Sequence, residues 1–217
     1  MMKVTVNPLE QDRQEVIASM VRMLSLVRES VHYARRALID AEIEAASACI
    51  ENDAEIDRLQ TDLERRILTT IARRQPAAGD LRFLGAAYQA LADIERAGDY
   101  AVHVARAGVV LAKEPPLKKY LDMGRILEVL SGMLEVTMKA LVTADQAAAR
   151  RALAMDDEID DLYEQIQREL LIYMLEDPKT INAATRLLSV GRYLERLGDH
   201  LENVNEHIIF WLTGERL

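Results

Sequence analysis

The stretch Asp93-Ile94-Glu95-Arg96-Ala97-Gly98-Asp99 returns one hundred positions later as Tyr193-Leu194-Glu195-Arg196-Leu197-Gly198-Asp199. The shared core is Glu-Arg-x-Gly-Asp, in which four of five residues match. Charged residues and glycine are types that a helix interior does not demand, and a repeat at a fixed offset fixes the architecture before any local reading. The repeat extends upstream. Asp53-Ala54-Glu55-Ile56-Asp57 returns as Asp156-Asp157-Glu158-Ile159-Asp160, 103 positions later, and Ala37 to Asp57 aligns with Ala140 to Asp160 without a gap. The pairs Leu38/Leu141, Ala41/Ala144 and Ala45/Ala148 keep one helical phase in this reading. The fall in offset from 103 to 100 places a shortened loop between Asp57 and Glu95, near Pro76 and Gly79 in the first half and Asp177-Pro178 in the second.

The chain therefore divides into halves at 1–114 and 117–217, separated by Lys113-Glu114-Pro115-Pro116. Tandem prolines lack the N–H that a continuing helix needs. Elsewhere five prolines and nine glycines in 217 residues leave long runs of Ala, Leu, Glu and Arg, all good helix formers. Apolar residues step by three and four along Ile17, Met20, Val21, Leu24, Val27 and Val31, along Ile56, Leu59, Leu63, Ile67 and Leu68, and along Leu187 to Val204. The spacing predicts six helices, over 9–46, 48–75, 79–112, 118–146, 149–176 and 179–213. The break between the first two helices of each half carries no Pro or Gly. Strand-like alternation is confined to Met1–Val6. The expected fold is all-α, a tandem repeat of two three-helix bundles.

Composition narrows the function. A net charge of −9 argues against binding to a nucleic-acid backbone, which needs a basic face. Apolar runs fall far short of the ~20 residues of a membrane span. No charged segment followed by an apolar one opens the chain, so no signal peptide is expected. One cysteine, Cys49, permits no intrachain disulfide, and a cytoplasmic location is the simplest reading. No phosphate-binding Gly-rich loop, nucleophile elbow or Cys-x-x-Cys occurs, so the parts of common catalytic sites are missing.

Residues four apart share a helix face. Glu95, Asp99 and His103 form one row, and Glu195, Asp199 and Asn203 its counterpart. Asp53/Asp57 and Asp156/Asp160 form shorter rows on the preceding helix. Facing rows would gather about four carboxylates per half, with an imidazole in the first. Such a set suits hard cations such as Mg, Ca, Mn or ferric iron, and imidazole extends the range to zinc, ferrous iron or nickel. Arg96 and Arg196 could instead balance the charge. Gly98 and Gly198 each cost ~1 kcal/mol relative to Ala inside a helix, which close approach of a neighbouring helix or ion would explain. On the residues alone a metal site and a solvated acidic face both stay open. Glu29-Ser30-Val31-His32 reads as a surface pair, His207 as a rim residue, and Phe210-Trp211 as core packing.

The two motif copies, with the ending Phe210-Trp211-Leu212-Thr213-Gly214-Glu215, resemble the PhoU family of bacterial phosphate-transport accessory proteins over about Leu9 to Glu215. That resemblance implies paired three-helix bundles, a homodimer, and a cytoplasmic, non-enzymatic negative regulator of the phosphate-starvation response. It implies partnership with the ATPase subunit of the phosphate ABC transporter and with the phosphate sensor histidine kinase, and contact with the membrane only through these partners. It also implies iron or zinc clusters at Asp53, Asp57, Glu95, Asp99, Asp156, Asp160, Glu195 and Asp199. Asn203 keeps the family's residue four positions past the motif aspartate, whereas His103 departs from it. The alternative is a carboxylate bundle that stores metal or uses it in catalysis.

Overall fold

The computed structural model describes residues 7–216; the Met1–Val6 run lies outside the described residues. Six helices follow in order: α1 (Pro8–Ile39), α2 (Ala45–Arg74), α3 (Ala78–Leu111), α4 (Leu121–Thr143), α5 (Gln146–Glu176) and α6 (Ile181–Thr213), with a 3-10 turn at Pro178–Thr180 before α6. Among the described residues there is no strand. Helices α1–α3 pack on one another, as do α4–α6, giving two three-helix bundles. The bundles meet chiefly through α3 against α6, with α1 against α4 beside them.

The buried positions obey the two offsets. Ile56, Leu63 and Ile67 on α2 correspond to Ile159, Ile166 and Leu170 on α5, and all six are buried. Ile94, Ala97 and Val104 on α3 correspond to Leu194, Leu197 and Val204 on α6, and all six are fully buried. The change of offset falls across the α2–α3 and α5–α6 turns. Trp211 is buried and meets the Phe83 ring edge-on at 4.9 Å, and both Glu29 and His32 are exposed. Leu68 departs from its stripe and is 55% exposed.

The first inter-helix breaks come earlier than the expected ends at 46 and 146. Helix α1 stops at Ile39 and α4 at Thr143. The pair Ala41/Ala144 does not continue a helix: each residue sits in the left-handed region, at φ 56° and 51°. Ala144 N–H closes α4 on Ala140 O. Asp145 then caps α5 by accepting from Ala148 N–H at 3.1 Å. In the first half the matching residue is Glu42, whose carboxylate is taken by Arg36. Helix α2 starts later for lack of that cap, with tight i→i+3 bonds such as Ala45 N to Glu42 O. Alanine in this conformation carries a Cβ clash of roughly 1–2 kcal/mol that glycine avoids. Ala144→Gly is expected to stabilise the protein by about 1 kcal/mol, raising Tm by roughly 2–4 °C; thermal denaturation checks it, and a lower Tm would contradict the strain.

Candidate functional site

Two acidic clusters occupy equivalent places. In the first, Asp53 on α2 faces α3 at Gly98, with Asp57, Glu95 and Asp99 close enough to act on one another electrostatically. In the second, Asp156 on α5 faces Gly198, with Asp160, Glu195 and Asp199 around it. The structure thus brings together all eight carboxylates singled out by the repeat.

The motif glycines explain the approach. A Cβ at Gly98 would stand 3.0 Å from Ile56 Cδ1 and 3.6 Å from Asp53 Oδ1. A Cβ at Gly198 would collide with Asp156 Oδ1. Glycine is therefore what lets an aspartate from the neighbouring helix lie against the α3 or α6 backbone. The price in helix propensity is met by this packing.

Burial and mutual repulsion disfavour the charged forms. Asp53 is pushed up to about 6 by burial, with Asp99 and Asp57 adding to it and Arg106 opposing. Asp156 is pushed up to about 7 by burial and by Glu202, Asp160 and Asp199. Burial and the neighbouring aspartates also raise Glu95 and Glu195. Asp53 Oδ1, Asp156 Oδ1 and Glu195 Oε2 are buried with no hydrogen-bond partner. A buried carboxylate oxygen needs a proton, a donor or a cation. The outer acids are partly balanced: Arg96 reaches Asp99 at 3.0 Å and Glu95 at 3.5 Å, and Arg196 reaches Asp199 at 2.8 Å and Glu195 at 3.5 Å. Among the described residues no three His, Cys, Asp or Glu side chains stand ready-placed around a metal ion.

His103 and Asn203, the last members of the two rows, turn toward the α3–α6 seam. His103 lies 5.2 Å from the Tyr193 ring and 5.8 Å from Tyr100. Asn203 donates to Asp93 Oδ1 at 3.1 Å. Asp93 also binds His200 Nδ1 at 2.9 Å and His207 Nε2 at 3.2 Å. His207 is therefore a seam residue, not a rim residue. Burial opposes the Asp93 charge, yet bonds from His200, His207 and Asn203 hold its carboxyl well below the usual carboxylate range. Tyr100 stacks on His200 at 5.6 Å. The signal for this cluster was in the repeat: Asp93, Tyr100, His103 and Ala107 oppose Tyr193, His200, Asn203 and His207. Position 93 meets 200, 203 and 207 on one side of the seam, and 193 meets 100 and 103 on the other.

Two stability tests follow with opposite signs. For Asp53 and Asp156 the folded pKa is raised, so the folded chain keeps protons that the unfolded chain releases above about pH 4. Stability from this source is full below pH 4 and is lost as pH rises through about 6 and about 7. With chelator present, Asp156→Asn is expected to be more stable than the parent at pH 8, by roughly 1–3 kcal/mol, and level with it at pH 4. Urea midpoints at the two pH values decide this. For Asp93 the folded pKa is lowered, so its contribution is present above about pH 4 and shrinks below it. Asp93→Ala should cost roughly 2–4 kcal/mol at pH 7, because three donors lose a charged acceptor; an unchanged midpoint would remove the clamp.

Comparison with known proteins agrees with this fold. The family model "PhoU domain" matches residues 20–108 and again 123–208. A phosphate-specific transport system accessory protein PhoU homolog of Deinococcus radiodurans is 43% identical over 96% of this chain and 98% of its own. The homolog of Aquifex aeolicus is 39% identical over 95% and 92%. The crystal structure of PhoU from Pseudomonas aeruginosa superposes with a TM-score of 0.90 at 31% identity, covering 95% of this chain and 99% of that one.

Proposed function

We propose a regulatory role in phosphate transport for this chain, which belongs to the PhoU family. Its relatives carry the name of accessory proteins of the phosphate-specific transport system. In this reading the chain is a non-enzymatic adaptor in the cytoplasm that restrains the phosphate-starvation response. It works as a homodimer and docks on the ATPase subunit of the phosphate ABC transporter and on the phosphate sensor histidine kinase. No helix among the described residues is long and apolar enough to cross a membrane, so contact with the bilayer would run through those partners.

The observation that carries the reading furthest is the pair of carboxylate clusters, one in each of the two stretches that the family model matches. Each unit, 1–114 and 117–217, contributes one. Their oxygens suit a hard cation, iron or zinc among them, or Mg or Mn. The unpartnered oxygens of Asp53 and Asp156 are what such an ion would satisfy. Asp57 and Asp99 in the first cluster, and Asp160 and Asp199 in the second, would be its further ligands. The bound ion would supply positive charge that holds α2 to α3 and α5 to α6, and it would offer a bridge to an anion on an otherwise acidic surface.

Protein purified without chelator is expected to show bound cation and a dimer mass in native mass spectrometry. The double variant Asp53→Asn/Asp156→Asn should lose most of that metal. The chain should also co-purify with the transporter ATPase or the sensor kinase. Metal content unchanged by the double variant would sink the assigned ligand sets, and failure to retain either partner, with or without phosphate, would sink the adaptor role.

A further inference from the structure

The two carboxylate clusters share a motif but not a neighbourhood. Beside the second stand three acids outside the motif, Asp157 on α5 and Glu202 and Glu206 on α6. At the two repeat offsets their counterparts in the first half are Ala54, Val102 and Arg106. Each exchange runs the same way, from a neutral or basic residue to an acid.

Helix geometry brings Glu202 to the second cluster. The Asp156 carboxylate lies against the α6 backbone at Gly198, where a Cβ would collide with its Oδ1. Glu202 is four residues on from Gly198 and shares that helix face. Glu206 continues the row by one more turn, where it also borders a pocket with Arg216. Burial raises the Glu202 carboxyl above its ordinary value, and Glu206, Asp199, Asp160 and Asp157 raise it further. In the first half the same place is taken by Val102, buried and apolar. Arg106, two turns beyond Gly98, draws the Asp53 carboxyl down.

The arginines around the second cluster are committed to other acids. Arg196 pairs with Glu195 and Asp199, Arg125 with Glu158, and Arg168 with Glu164. Among the described residues, Asp160 and Glu202 have no cationic side chain within ion-pair distance. Asp156 is only 6% exposed, and its Oδ1 has no hydrogen-bond partner; its counterpart Asp53 is half-buried. A buried carboxylate oxygen needs a proton, a donor or a cation. One proton would answer Asp156 and leave Asp160, Asp199 and Glu202 charged around it, whereas a divalent cation answers several at once. The donors are all oxygens, because Asn203, His200 and His207 are turned to Asp93 at the seam. An all-oxygen set suits a hard divalent cation.

Resting on the cation reading given above, we propose that Glu202 makes the second half the preferred cation site of this chain. A hard divalent ion takes Asp156, Asp160, Asp199 and Glu202 as ligands, and the first half fills only after it.

Manganous ion added in substoichiometric steps to the chelator-stripped full chain at pH 8, followed by amide NMR, tests this, since the ion broadens resonances close to it. Resonances of residues 156–160 and 195–202 are expected to broaden before those of 53–57 and 95–99. In equilibrium dialysis, Glu202→Gln should weaken the first-filling site roughly tenfold or more. Arg106→Glu should tighten the weaker site severalfold. Glu202 is part-buried and Arg106 exposed, so both variants should fold, which circular dichroism checks. Simultaneous broadening of both clusters, or earlier broadening in the first half, overturns the proposal and leaves the cation reading standing. So does unchanged affinity in Glu202→Gln. No broadening at either cluster overturns both.

Discussion

Everything in this molecule depends on how closely α3 and α6 can lie against their neighbours. Each is buried on two sides, against its own bundle and against the other half. A helix in that position cannot carry one apolar stripe; it must be small or apolar around most of its circumference. Helix α3 solves this with alanines at 86, 87, 90, 97, 101 and 105, and with Gly108, where a Cβ would come within 2.7 Å of the Ala37 backbone. Helix α6 uses larger residues, Leu187, Leu194, Leu197, Leu201 and Trp211. At equivalent positions α3 is small where α6 is larger, as at Ala87/Leu187, Ala97/Leu197 and Ala101/Leu201. The same closeness delivers Asp53 and Asp156 to the motif glycines.

That delivery sets up the chemistry. Like charges on one helix face cost only ~0.2–0.5 kcal/mol per pair when solvated. The cost grows when a facing helix brings a further carboxylate and burial lowers the effective dielectric. The protein does not relieve this with a buried arginine. Arg96 and Arg196 stay on the exposed side of their clusters and pair with the outer acids, where ion pairs are weak. The inner oxygens are left unpartnered. Such an arrangement stores free energy that a proton or a cation releases, which is how an acidic groove becomes responsive to its ionic surroundings without catalytic groups.

Much of this was legible in the residues, for identifiable reasons. The two offsets, 103 and 100, are properties of a chain that packs the same helices twice, so they report the shared core and the shortened turn directly. Helix-phase arithmetic placed the eight carboxylates correctly, because i to i+4 geometry is local. The breaks after Ile39 and Thr143 were read too late, since alanine in the left-handed region leaves no compositional mark. Position 144 is betrayed only by the following Asp145, a good N-cap. The Asp93 clamp was hidden because its partners, His200, Asn203 and His207, are more than a hundred residues away. Rows drawn along one helix assigned His103 and Asn203 to the carboxylates, whereas the crossing of α3 and α6 turns both toward the seam.

The halves have diverged beside the carboxylate clusters as well as at the seam where they meet each other. The difference between His103 and Asn203 first suggests unequal ligand sets, but both side chains serve the seam. The residues that separate the two clusters are Val102 and Arg106 against Glu202 and Glu206. Arg106 pulls Asp53 down toward the usual range, and Glu202 pushes Asp156 up. The first cluster thus carries its own counter-charge nearby, and the second carries an extra acid. Coulomb's law at a few ångströms then separates the two clusters: the second carries the larger uncompensated negative charge, and the first is held nearer to neutrality. A duplicated surface has in this way become two different ones, by substitutions one and two turns away from a motif that itself stayed the same.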